Sequence, residues 1–418
     1  MQIKTHITSK KINGMGVTMQ SELSLEKYNK KIIIVNNNMK IGGVQKALLD
    51  LLCEISSQYD VTLYLLNRVG EYLDKVPKNV TIIGGDSAYK YFGMSQAESK
   101  NSKKDHFFRS ILAIIAKVFG RKIASLLINI FSKKIPGEFD CAISYLHDPG
   151  THLLYGGCND FVISKISAKK KIAFLHCDYE NSGSNCKINN KLYSKFNYIA
   201  PCSEGCKKSF LRVLPHLESR TKTVINCHNF EEIISLSNEN TIIYEKQYVN
   251  IIIVARLSPE KGISRALYAL YYALERKANV KLHIVGGGGQ KEALIKTCAE
   301  LNLSDNVSFY GEQTNPYRYI KNADFMFIPS FHEAAPLVID EALCLGVPIL
   351  STETTSSDDM ILQRNCGWVC KNEQDDINTT LYNIVSNRNE ISKVRGMISS
   401  RISCNNNTAI NMLSQIID

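Results

Sequence analysis

Two short segments carry residues whose types and spacing suit a phosphorylated ligand. The first is Ala255-Arg256-Leu257-Ser258-Pro259-Glu260-Lys261-Gly262. Two cations five residues apart, with a turn between them and a helix after them, can clamp a diphosphate. The guanidinium of Arg256 forks over phosphate oxygens, the ammonium of Lys261 acts as a point charge, and the helix N-terminus adds N–H donors. The second segment runs from Ser330 to Ala342 and holds Glu333 and Glu341, eight residues apart. Glu333 falls in a strand-to-helix loop and could bind sugar hydroxyls. Glu341 falls in the helix and could accept hydrogen bonds from a ribose diol. Ala335, Pro336 and Leu337 open that helix, where small residues and a proline let backbone N–H groups approach an anion. Asp340 points about 100° away. Taken singly, either pair is equally a set of solvated surface charges.

Glycines and histidines mark further strand ends. Gly286-Gly287-Gly288-Gly289 follows an apolar run and opens a helix. It permits close backbone approach by a nucleotide, or is only a turn. It is no dinucleotide fingerprint, because the sixth position from Gly286 is Lys291. Gly42-Gly43 occupies the matching place earlier in the chain. His176 follows Ile172–Leu175, and His147-Asp148 follows the run ending at Leu146, so these side chains would enter one crevice from the first half of the chain.

The elements that must hold these residues alternate between strand and helix. β-branched runs at 31–35, 61–66, 80–83, 141–146 and 172–175 predict buried parallel strands, and Ala47, Leu48, Leu51 and Leu52 recur at helical spacing. A second series has strands at 249–254, 280–285, 307–310, 325–328 and 347–350, with helices at 264–277 and 336–345. Two doubly wound α/β units follow, facing a central cleft. The expected division is a polar extension at 1–30 (or a start at Met15 or Met19), an N-terminal unit at 31–235, a C-terminal unit at 236–390 and terminal helices at 391–418 that pack back on the first unit. The polar stretch 231–247 reads as the linker.

Composition narrows the function classes. The chain has 418 residues, 44% apolar and 22% charged, which excludes disorder and a small disulfide scaffold. Its net charge of +10 is uneven. Residues 1–235 hold 33 Lys and Arg against 20 Asp and Glu, a net +13, while residues 236–418 hold 17 against 20, a net −3. The first unit is therefore the one suited to an anionic partner. The 13 cysteines include no C-x-x-C pair, so they read as packed thiols of a reducing, cytoplasmic protein, and no metal site is expected. Between Lys100 and Lys134, nine Lys and Arg and one acid, Asp105, flank apolar residues at three- and four-residue spacing. Such amphipathic helices either lie in a membrane interface, with Lys103, Lys104, Arg121 and Lys122 facing it, or pack on the core with a solvated basic face.

Taken in order, Gly42-Gly43, His176, Arg256 with Lys261-Gly262, Glu333-x7-Glu341-Ala342 and the trailing Leu345–Thr352 resemble family 4 retaining glycosyltransferases of the GT-B type, with two Rossmann-like domains. The resemblance covers about residues 31–370 and is stronger in the second unit. One departure stands out: many relatives have Gly-Phe-Gly or Gly-Phe-Pro after the first Glu, where Ala334-Ala335-Pro336 stands here.

The resemblance implies that Arg256 and Lys261 neutralise the leaving diphosphate and that Glu341 holds the ribose. It places Glu333 on the transferred sugar and His176 near the anomeric carbon as the catalytic pair. Gly42, Gly43 and Gly286 would let backbone approach the donor, and the groups at Ala335–Leu337 would hold its hydroxyls or phosphate. The implied reaction transfers a hexose or N-acetylhexosamine from a UDP- or GDP-linked sugar to a lipid-diphosphate-linked glycan, without metal or other cofactor. The implied setting is bacterial capsule or O-antigen synthesis, on an anionic membrane surface at the inner face of the plasma membrane, with no nucleic-acid partner. Asp358-Asp359 and Asp375-Asp376 then read as surface acids. A nucleotide-sugar 2-epimerase of the same fold and a non-catalytic sugar- or nucleic-acid-binding protein are the alternatives.

Overall fold

The computed structural model describes residues 30–401 and 404–418. The extension expected at 1–30, with its alternative starts, lies outside the described residues except for Lys30. Twelve parallel strands form two six-stranded sheets. The first holds β1 (Lys31–Asn36), β2 (Asp60–Leu65), β3 (Thr81–Gly84), β4 (Glu138–Ser144), β5 (Ser167–Leu175) and β6 (Tyr198–Pro201), in the order β3-β2-β1-β4-β5-β6. The second holds β7 (Val249–Val254), β8 (Val280–Val285), β9 (Val307–Gly311), β10 (Phe325–Ile328), β11 (Ile349–Thr352) and β12 (Gly367–Cys370), in the order β12-β11-β10-β7-β8-β9. Both are doubly wound, with the order reversing beside the first strand of each sheet.

The apolar runs explain the layering. In β1, Ile33 and Val35 pack into one cluster and Ile32 and Ile34 into the opposite one. In β7, Val249, Ile251 and Ile253 face one cluster and Ile252 the other. Strands covered on both faces need no polar alternation. Each fully buried Ile or Val contributes about 1.5–3 kcal/mol. The four-residue edge strands β6 and β12 have no comparable run and were not expected from sequence.

Two boundaries differ from expectation. The stretch read as a linker begins with a helix, Phe230–Asn238, whose Ile233 belongs to a C-terminal-lobe cluster. Of the terminal helices, Arg388–Arg401 stays on the C-terminal lobe through Ile391, Val394 and Ile398. Only Asn407–Ile417 returns to the N-terminal lobe, packing Ala409, Leu413, Ile416 and Ile417 among the side chains beneath β1. The chain thus leaves the N-terminal lobe and returns to it, and the described residues His228 and Cys404 of the two passes lie beside the cleft-lining helix Leu337–Cys344. His228 on the first pass pairs with Asp340 at 3.4 Å, and its N–H donates to Asn406 just before the last helix at 3.0 Å.

Candidate active site

The carboxyl ends of both sheets face a cleft of about 1730 Å³. Arg256, Lys261, Gly286, Glu333, Ala335, Pro336, Leu337 and Glu341 line it from the C-terminal lobe, and Gly42, Gly43, His147 and His176 from the N-terminal lobe. Sequence positions spread over about 300 residues therefore meet on one surface.

The cationic turn is built by local rules. A 3-10 turn, Pro259–Lys261, ends at Gly262 in the left-handed region (φ 61°), and the helix Ile263–Glu275 begins there. A Cβ on Gly262 would lie 2.2 Å from Pro329 O, so glycine is required both for the turn and for the close approach of the β10 exit. Across that contact Lys261 Nζ reaches Glu333 Oε1 at 2.7 Å, and Ser330 Oγ donates to the same oxygen at 2.6 Å. Arg256 is exposed to the cleft and makes no ion pair among the described residues. Its charge reaches the hydroxyl of Tyr155 on the opposite lobe. The glycine run has a structural reason of its own. A Cβ on Gly286 (φ 144°) would lie 1.9 Å from Ala255 O, and Leu257 N donates to Gly287 O at 2.8 Å. These glycines let the loop beyond β8 lie directly against the cationic loop.

Glu341 is 7% exposed and accepts from Tyr317 Oη at 3.4 Å. Burial pushes its carboxyl above the usual range, against the opposing charges of His228 and Lys46. Asp340 does point elsewhere: it meets Arg364 at 2.7 Å as well as His228.

On the N-terminal side, His176 stacks against Phe174 (ring centroids 5.8 Å) and Tyr145 (4.8 Å), with Nε2 unpartnered. Burial, with His147 adding to it, lowers its pKa to about 3, so the imidazole is neutral at ordinary pH. His147 moves the other way. Burial opposes its charge, but the neighbouring Cys177 outweighs burial and the net shift is upward.

Two residues are not where the sequence put them. Asp148 does not line the cleft; it is fully buried and accepts from Gly157 N at 2.6 Å. Arg121 does not face solvent or a membrane. Its guanidinium is buried, 2.9 Å from Asp148 and 3.2 Å from Asp160, and donates to Asn189 Oδ1 at 2.6 Å. A basic amphipathic stretch makes any cation in it look solvated, and the acids that claim this one are 27 and 39 residues away. Lys103, Lys104 and Lys122 are exposed. Asp359 is likewise more than a surface acid, since it accepts from Glu204 N of the other lobe at 3.1 Å.

Sequence reasoning missed Lys46, three residues beyond Gly43 in the helix Gly43–Ile55. It lines the cleft and pairs with Asp50 at 2.7 Å and, across the lobes, with Glu232 at 3.1 Å. Its place at the start of the helix after two glycines was the available signal. Ser203 was missed as well. Its Oγ donates to Ala334 O at 2.8 Å and so ties the N-terminal lobe to the loop carrying Glu333.

Comparison with known proteins fits this geometry. TarM of S. aureus, solved as a variant with fondaparinux, alpha-GlcNAc-glycerol and UDP, superposes with a TM-score of 0.64 at 13% identity, covering 93% of this chain and 100% of that one. Anabaena HepE, solved with UDP and glucose, gives 0.61 at 14% identity, covering 93% and 98%. The protein has the GT-B fold, two Rossmann-like domains around a cleft. Residues 238–398 match the family model described as glycosyl transferases group 1. Over 144 residues the chain is 34% identical to an uncharacterised glycosyltransferase of Methanocaldococcus jannaschii, covering 33% of this chain and 35% of that protein. Over 176 residues it is 29% identical to the N-acetylgalactosamine-N,N'-diacetylbacillosaminyl-diphospho-undecaprenol 4-alpha-N-acetylgalactosaminyltransferase of Campylobacter jejuni, covering 42% and 47%. The chain thus spans less than half the length of these curated relatives.

Proposed function

We propose that the protein is a metal-independent retaining glycosyltransferase. It moves a hexose or N-acetylhexosamine from a UDP- or GDP-sugar to a glycan carried on a lipid diphosphate, in bacterial cell-surface polysaccharide synthesis. The observation that carries this reading is the meeting of Arg256, Lys261, Glu333 and Glu341 on one cleft wall. Glu341 takes the ribose hydroxyls, which places the diphosphate over the cationic turn. As the glycosidic bond breaks, charge grows on the diphosphate, and Arg256, Lys261 and the N–H groups opening the helix Ile263–Glu275 stabilise it. The diphosphate competes with Glu333 for Lys261, freeing that carboxylate for the transferred sugar. His176, being neutral, presents a dipole rather than a cation to the positive anomeric centre. The retaining outcome rests on the family resemblance, and the lipid-linked acceptor is supported by the name of the Campylobacter relative.

The acceptor would be met at a membrane. The helices Lys103–Phe119 and Arg121–Ile130 expose Phe107, Ile114, Val118, Phe119, Leu126 and Ile130, flanked by Lys103, Lys104 and Lys122. An apolar face with cationic flanks suits an anionic bilayer surface. Among the described residues no helix is long and apolar enough to cross a membrane. The test is transfer from labelled UDP- and GDP-sugars to lipid-linked acceptors by the wild type and by Lys261→Ala. Acceptor-dependent product lost in the variant supports the reading. Donor converted equally well without acceptor overturns it in favour of an epimerase.

A further inference from the structure

A second cavity, of about 300 Å³, opens at the end of the N-terminal lobe away from the cleft. Ser167 and Ala168 at the start of β5 line it, while His176 beyond the other end of β5 lines the cleft. A nine-residue strand puts about 30 Å between them. Lysines reach the cavity from three elements: Lys134 from the segment after the helix Arg121–Ile130, Lys165 from the end of the helix Cys158–Lys165, and Lys171 from β5. The remaining lining is Ile135, Ile163, Ser164 and Ile166 with the start of β5, and among the described residues no carboxylate is part of it. On the adjoining strand Asp140 is already held by Lys169 at 2.7 Å.

The ammonium groups keep donors to spare. Lys165 donates to Asn129 O at 2.8 Å and to Ser132 O at 2.6 Å, and Lys171 to Ile163 O at 3.1 Å. An ammonium has three N–H bonds, so one remains on Lys165 and two on Lys171. Lys134 makes no ion pair among the described residues. Burial, and after it the charge of Lys134, lowers the pKa of both Lys165 and Lys171. A bound anion would relieve that mutual repulsion.

We propose that this cavity binds a phosphate group, supplied by the headgroup of an anionic phospholipid. The phosphate half stands on the three lysines alone; the lipid half rests on the membrane reading above. The cavity begins where the apolar face ends, and Ile130 and Phe131 there are 68% and 79% exposed. Residues that enter a bilayer and lysines that wait for its phosphates would thus sit side by side.

The test uses the full chain and two probes. Flotation with phosphatidylcholine vesicles, with and without phosphatidylglycerol, compares the wild type, a Lys134→Ser/Lys171→Ser variant, and a Lys103→Ser/Lys104→Ser variant with the same charge change. Inorganic phosphate is titrated while the NMR signals of methylated lysines are followed. A loss in phosphatidylglycerol-dependent binding for the cavity pair well beyond the roughly thirtyfold that two surface lysines account for, against no more than that for the other pair, supports the proposal. Saturable phosphate shifts at Lys134 and Lys171 support its phosphate half. Should the wild type bind no vesicle yet show those shifts, the lipid source is overturned together with the membrane reading, and the site belongs to a soluble phosphate compound. Equal losses from both pairs, with no phosphate shift at the cavity lysines, overturn the proposal and leave the membrane reading standing.

Discussion

The two lobes share one strand order but treat the residues beyond their strands in opposite ways. In the C-terminal lobe the charges stay available: among the described residues Arg256 is exposed and unpaired, and Lys261 and Glu333 hold each other and one serine at the cleft surface. In the N-terminal lobe the charges beyond β4 are locked away. Asp148 is buried on Arg121, and Asn189 Nδ2 ties the same loop down through Asp148 O at 3.3 Å and Pro149 O at 3.0 Å. That lobe also leaves open Tyr155 toward the cleft and the apolar two-helix face toward the outside. The difference teaches a division of labour. One lobe keeps its charges at the cleft surface beyond its strands, and the other, beyond β4, uses them to stiffen a loop. That loop also meets the exposed helices, since Arg121 N donates to Thr151 O at 2.6 Å.

The sharpest way to break this contrast is to unlock the N-terminal lobe. Arg121→Met would leave Asp148 buried without its cation, which costs about 3–5 kcal/mol. A clearly lowered urea midpoint is expected, and Arg121→Met with Asp148→Leu together should recover part of it. If the single variant unfolds like the wild type, the pair is not what holds the loop.

The second largest effect belongs to the open side. Lys261→Ala should lower kcat by about 10²–10³, as removal of one group stabilising a developing anion does, while the unfolding free energy from urea titration falls by no more than about 1 kcal/mol. A variant that loses stability instead of rate would make Lys261 a structural residue like Arg121 and erase the difference between the lobes.

These two cases also show what was legible in the chain. Arg256, Lys261, Glu333 and Glu341 lie within two short segments, so their common surface follows from local periodicity and the rule that ligands bind beyond strand ends. β1 and β7 were legible because an unbroken β-branched run has few other uses. Arg121 was not: its partners come from distant loops, and its neighbours Lys122 and Ile123 advertise a surface helix. β6 and β12 escaped because four residues at a sheet edge carry no period, and β12 is admitted by Gly367, where a Cβ would lie 1.8 Å from Ile349 O. Lys46 and Ser203 have partners in their own lobe, but their contacts to Glu232 and Ala334 come from the opposite one and were not legible.

Between the lobes, the His228–Asp340 pair predicts a pH dependence that belongs to neither strand-end pattern. Burial disfavours the imidazolium of His228, but Asp340 outweighs burial and its pKa rises above the usual 6.5. Burial likewise works against the carboxylate of Asp340, yet His228 and Arg364 bring it down to about 2. The histidine's contribution is complete below its unfolded value and fades as pH rises through the raised one. The aspartate's contribution is complete above its unfolded value and fades as pH falls toward about 2. Urea midpoints at about pH 6 and about pH 8 should differ for the wild type, the lower pH being the more stable, and His228→Gln should shrink the difference. An unchanged difference in the variant would assign the alkaline loss to other groups.

The smallest effect tests whether the locked lobe reaches into the open one. Ser203 caps the helix Glu204–Val213, accepting from Cys206 N at 3.1 Å while its hydroxyl donates to Ala334 O, next to Glu333. Two residues on, a Cβ at Gly205 would lie 1.6 Å from Thr355 O, so the lobes meet here backbone to backbone. Ser203→Ala removes a helix cap and one contact between lobes, worth about 1–2 kcal/mol in all. Ser203→Thr keeps the hydroxyl and should restore most of it. Hydrogen exchange separates the two roles. If the serine only caps its own helix, amides at 204–207 exchange faster and those at 331–337 do not change. If it also steadies the loop carrying Glu333, both segments loosen in the alanine variant and both recover with threonine. The second outcome is expected, because the carbonyl it binds belongs to the residue that follows Glu333.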